Sequence, residues 1–86
     1  MNKGDLVKVG DLVKLKIKKH TSVTGNKYRF RLATEDIQYV ESEVLAGKTG
    51  IVILVYPGDY CGTLHIAFGS TVIRAYQDYF TKLEKV

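Results

Sequence analysis

A small, mainly all-β barrel is the fold this sequence predicts, from three features: strict apolar/polar alternation at 11–18 and 28–32, a nearly unbroken aliphatic run at 51–56, and turn-forming residues at short intervals between them. Five or six short strands with little helix must protect their edges, and closing the sheet does so in a small domain. The 86 residues give one domain, 1–86, with no room for a second core.

The chain begins with KGDLVKVGDLVKLKIKK, residues 3–19, which writes Gly-Asp-Leu-Val-Lys twice. The even offset puts both valines on the same side of a strand. Each Gly-Asp reads as a turn into an extended segment, Gly supplying backbone freedom and Asp bonding nearby amides; otherwise the five-residue echo is accidental. Through the second copy Val13, Leu15 and Ile17 face one way and Lys14, Lys16 and Lys18 the other. Residues 20–27, HTSVTGNK, read as a hairpin connection around Gly25-Asn26. Beyond it Tyr28, Phe30 and Leu32 alternate with Arg29 and Arg31. If the two strands pair, Lys14, Lys16, Lys18, Arg29 and Arg31 form one basic plate. Like charges across a ladder cost stability, so either solvent screens them or a polyanion relieves them.

Over 34–45 the period changes. Ile37, Val40, Val44 and Leu45 fall on one helical face, Thr34 can cap it, Glu35 and Asp36 suit its first turn, and Gly47 stops it. A short helix is expected there, although the β-branched residues and Tyr39 also permit an extended loop. Residues 51–56 read as a buried strand and Pro57-Gly58-Asp59 as a turn. Alternation returns at 63–68, Gly69-Ser70 makes a tight turn, and 71–76 forms another strand. QDYF, 77–80, reads as one helical turn before a last short strand at 81–85.

The net charge of +4 is unevenly spread: residues 1–31 hold nine Lys or Arg against two Asp, net +7, and residues 32–86 hold four against seven, net −3. Clustered cations attract phosphate over a Debye length, unless folding mixes the two halves. The longest apolar run, 51–56, is far short of the roughly 20 residues a bilayer span needs. No secretory signal is visible at the start, and the single cysteine, Cys61, excludes an internal disulfide. A soluble, cytoplasmic protein without membrane attachment is expected.

Three stretches carry a resemblance. VGDLVKLK at 9–16 and GKTGIVILV at 47–55 resemble the Gly-Asp entry strand and Gly-x-x-Gly-x-Val segment of KOW-type SH3-like barrel domains, and QDYFTKLEKV at 77–86 resembles that fold's one-turn helix and closing strand. The resemblance implies an SH3-like barrel of five to six strands; this sequence departs from the family's pattern in that residues 19–46, expected as a β-hairpin or short helix, intervene between the first strand and the central ones, which in that family usually lie close together. KOW-type domains occur in ribosomal and transcription-elongation proteins, which implies contact with RNA or with a protein near nucleic acid. Other SH3-like domains are tudor-like peptide readers or accessory subunits of larger complexes.

Catalytic chemistry finds little support. Cys61 and His65 share a strand face with Asp59 nearby, but a closed metal site wants four ligands and none is expected. Cys61 as a nucleophile has His65 as a candidate base and no third orienting group. Glu35, Asp36, Glu41 and Glu43 read as a solvated acidic face. Gly47 and Gly50 lack the Gly-Lys-Ser/Thr ending and following helix of a phosphate loop. Neither enzyme nor cofactor is expected. Tyr56, Tyr60, Tyr76 and Tyr79 lie at strand ends or in turns, where exposed rings stack on bases or grip peptides. Tyr56 and Tyr76 read as rings that close the core, and Tyr60, between Gly58 and Gly62, as the exposed candidate.

The expected function is a non-catalytic module docking on nucleic acid, RNA rather than DNA. Lys14, Lys16, Lys18, Arg29 and Arg31 would meet phosphates, and Lys48 and Tyr60 would make nearer contacts. The rival is a protein-interaction or assembly subunit, with an acidic partner on the plate and a peptide in the tyrosine-rich loops. Pairing of strand 4–9 with a neighbouring copy would make it a homo-oligomer.

Overall fold

The computed structural model describes residues 7–16, 25, 27–56 and 62–83. Among the described residues there are seven strands: β1 (Leu12–Leu15), β2 (Arg29–Leu32), β3 (Tyr39–Glu41), β4 (Thr49–Val55), β5 (Thr63–Phe68), β6 (Thr71–Tyr76) and β7 (Phe80–Lys82). All pairings are antiparallel, in one sheet of order β3-β2-β6-β5-β4-β1-β7. Among the described residues the sheet is open, with β3 and β7 as its edges, and the expected closure by backbone pairing is not found. Aromatic contact spans the gap instead: the Phe30 ring of β2 lies 5.7 Å from the Phe80 ring of β7. Five strand steps separate those residues in the sheet, so the sheet must curl around its core.

The core follows from alternation. Val13, Val52, Leu64, Ile66 and Ile73 are fully buried, with Phe30, Leu45, Phe68 and Phe80 packed among them. Removing this apolar surface from water is the main stabilising term, at about 25 cal/mol per Å². The second Gly-Asp forms its predicted turn: Gly10 has φ +95°, and the Lys8 amide donates to Asp11 Oδ2 at 2.8 Å. The first copy, at Gly4-Asp5, lies outside the described residues. Gly69 has φ +64° and no described residue other than glycine has positive φ, so Gly69-Ser70 closes the β5–β6 hairpin with the glycine in the first central position, as a II′-type loop requires. A 3₁₀ turn at Gln77–Tyr79 precedes β7, as QDYF predicts.

Three expectations are corrected. The predicted pairing of the lysine and arginine strands does not form, because β4 and β7 occupy both edges of β1, while β2 lies between β3 and β6. The helix expected over 34–45 shrinks to one turn, α1 (Ser42–Leu45), preceded by bends and β3. Thr34 does not cap it; its hydroxyl donates to the Asp36 carbonyl at 2.9 Å. Pairing with β2 sets Val40 opposite Phe30, which a helix would forfeit, and Ile37 and Val44 are left exposed. The run at 51–56 is buried on one face only. Ile51, Ile53 and Leu54 are exposed, with a bulge between Val52 and Leu54. Among the described residues no helix is long and apolar enough to cross a membrane.

Candidate nucleic-acid interface

The outer face of β6 is set by its inner one. Ile73 and Ala75 are buried, so the period of two turns Arg74 and Tyr76 outward. The same rule with Phe30 inward turns out Arg29 and Arg31 on β2. Register then places Arg31 directly opposite Arg74, and the row runs across four ladders as Tyr39, Arg31, Arg74, His65 and Leu54. Two arginines therefore face each other across a ladder.

Pairing between β2 and β6 covers only Arg31 with Arg74 and Leu32 with Ile73. Past Arg31 the strands diverge, and a cleft of about 390 Å³ opens between them. Its floor holds Phe30, Thr63 and Ala75; Arg29, Arg31 and Arg74 supply the charge, and Tyr28, Tyr76 and Tyr79 the rings. None of the residues lining it is acidic. A shallower depression of about 350 Å³ lies beyond the arginine pair, against Thr34, Glu35, Tyr56 and His65. Arg31 and Arg74 wall both.

Aromatic contacts hold this surface in place. Phe30 and Tyr79 meet edge to face at 5.6 Å, and Tyr79 and Tyr76 stack at 6.2 Å, making a ladder of rings that climbs from the core to the surface. The guanidinium of Arg29 lies 5.5 Å from the Tyr39 ring centre and that of Arg74 5.5 Å from the Tyr56 ring centre, within cation–π range. Ion pairs do not neutralise the arginines: those between described residues are Lys27 with Glu41, Lys27 with Glu43, and Lys82 with Asp11. Glu41 stands opposite Arg29 in the ladder, but its carboxylate takes the Lys27 ammonium at 3.3 Å. The hydrogen bonds it donates, to Glu43 first and then to Glu41, raise the pKa of that ammonium.

His65 joins the row through Tyr56, whose hydroxyl lies 3.1 Å from Nε2. A neutral imidazole accepts the hydroxyl proton there when its own proton is on Nδ1, and donates to the hydroxyl oxygen when it is on Nε2. Burial, and secondly the positive charge of Arg74, lower the His65 pKa below its usual 6.5. The unfolded chain therefore binds a proton at this residue more readily than the folded one. Above about pH 6.5 both states are neutral and pH changes nothing; as pH falls below that, stability is lost until the folded pKa is reached. Urea unfolding at pH 7.5 and pH 5 should show a smaller acid loss for His65→Gln than for the parent. Identical losses would mean that other groups govern the response.

Of the residues expected to bind, Arg29 and Arg31 lie together at the cleft. Lys14 is on the outer face of β1 beside Thr49 and Thr81, away from β2. Lys16 is not among the residues lining the cleft, and its backbone amide donates to the Tyr79 carbonyl at 2.8 Å. Lys48 is exposed after α1, its amide bonded to Leu45. Lys18, Tyr60, Cys61 and Asp59 lie outside the described residues. Tyr76, read as a core-closing ring, is 46% exposed on the outer face, and Tyr56 is half-buried against His65. Sequence reasoning missed Arg74, although Ile73 and Ala75 flank it with the same alternation that exposed Arg29 and Arg31. In comparisons with known proteins, no family model, curated protein or solved structure matches this chain.

Proposed function

We propose that the protein is a non-catalytic module that docks on nucleic acid, RNA rather than DNA, through the cleft between β2 and β6. The observation that carries this reading is the arginine pair. Arg31 and Arg74 stand directly opposite each other, and among the described residues no carboxylate pairs with either. Facing cations destabilise a ladder, and an anion bound between them removes that penalty. Guanidinium groups suit phosphate because their fork of donors matches two of its oxygens. The KOW-type SH3-like resemblance of residues 9–16 and 47–55 points the same way. It remains part of the proposal.

With three arginines at the cleft, an oligonucleotide should bind with a log–log salt slope of about −2, since each neutralised phosphate of a single strand contributes roughly −0.7. Fluorescence anisotropy of labelled RNA across increasing salt measures it. A slope near −4 would bring the β1 lysines into the contact. Absence of binding at low salt would remove nucleic acid as the partner and direct attention to an acidic protein.

A further inference from the structure

We propose that the cleft takes a single strand: an unpaired base stacks on the outer ring of the Tyr79–Tyr76 pair while its backbone phosphate lies on Arg31 and Arg74. This rests on the nucleic-acid reading and specifies the form of the ligand.

The inference comes from the order of the rings. Tyr79 is held by two rings, meeting buried Phe30 edge to face and stacking on Tyr76. At 6.2 Å between ring centres the two tyrosines leave no room for a third ring between them, so a base adds to the outside of the pair. Tyr76 is also the more exposed of the two, at 46% against 38%. The face it offers is apolar, and a nucleobase face covers it best. In a duplex those faces are already stacked on neighbouring bases and only edges and phosphates are presented; a loop or a single strand presents both face and phosphate.

The charges fit the same occupant. Arg31 and Arg74 wall the cleft beside this stack, so one nucleotide reaches both features. On the far side of the pair Glu35 lines the second depression, which makes that side the poorer place for a phosphate. At about 390 Å³ the first cleft lies in the size range of sites for one small ring system. Stacking of this kind is tolerant of sequence because every base has a π-face.

The test measures anisotropy of three labelled probes at near-physiological salt: an oligouridine, an abasic ribose-phosphate chain of equal length, and a blunt RNA duplex. The oligouridine should bind most tightly, with the abasic chain and the duplex at least tenfold weaker. Tyr76→Ala should weaken oligouridine by about 5- to 150-fold, the range covered by base–ring stacking, and Tyr76→Phe should retain binding because the ring face rather than the hydroxyl is used. Equal affinity for abasic chain or duplex overturns the single-strand inference and leaves nucleic-acid docking intact. The probe comparison uses the unmodified protein, so it decides even if Tyr76→Ala folds poorly. Failure of all three probes to bind, at low salt as well, overturns both.

Discussion

Gly50→Ala should destabilise the domain by about 1–3 kcal/mol, and Gly50→Val by more, because both overfill a closed part of the core. Gly50 is buried on β4 opposite Val13, which has no exposed surface. A Cβ built on it would stand 2.5 Å from Ile66 Cγ2 and 2.8 and 2.9 Å from the Phe68 ring. Neither neighbour can swing away: Cγ2 is the branch methyl of a fully buried isoleucine, and Phe68 is buried against Phe80. One effect runs the other way, since alanine restricts the unfolded chain and stabilises by about 0.4–1 kcal/mol where the backbone accepts it. The backbone does accept it, for Gly50 is not among the positive-φ glycines. Overpacking is the larger of the two. Thermal unfolding should show the midpoint falling by about 4–8 °C for each kcal/mol in a domain of this size. Ile66→Leu removes Cγ2 at constant volume, so the double variant should recover part of the loss in a mutant cycle. An unchanged midpoint for Gly50→Ala would show that the core relaxes around the methyl. The glycine of GKTG thus serves close packing of β4 on β5, the strand that carries Thr63 and His65 to the interface.

Local alternation made part of this interface legible and long-range pairing made the rest illegible. Arg29 and Arg31 were readable because Phe30 between them must be inside. Arg74 carries the same signature, yet nothing local ties residue 74 to residue 31 across the sheet. Partner choice depends on which edges are already taken: β1 could not join β2 once β4 and β7 flanked it. The 34–45 segment failed for a related reason. Its apolar residues fit a helical period, but burial of Val40 beside Phe30 selects the strand, and Ile37 is left 71% exposed. Tyr76 was misread because a tyrosine at a strand end fits either face. Only its neighbours Ile73 and Ala75 decide, and they place it with Arg74.

Arg31→Glu should make the free protein more stable and its RNA binding weaker. The opposite signs separate a ligand site from a structural feature. In the unmodified chain Arg31 faces Arg74 across the ladder and Tyr39 on its other side, and no described carboxylate pairs with it. Glutamate there turns a repulsive cross-strand pair into an attractive one, a gain of about 0.2–1 kcal/mol, kept at the low end by solvent because Arg74 is exposed. The same change removes one guanidinium from the phosphate and repels the ligand. A charge-assisted hydrogen bond contributes about 1.5–3 kcal/mol, so affinity should fall by roughly 10- to 100-fold. Urea unfolding and RNA anisotropy on one preparation read both quantities. If the arginines merely decorate a solvated face, stability should rise while affinity stays constant, and the cleft loses its role. If stability falls as well, then Arg31 supports the fold by a contact other than the arginine pair, and loss of binding would carry no information about the site. Only gain in one with loss in the other matches a sheet that keeps two opposed cations because its ligand is the missing counter-charge.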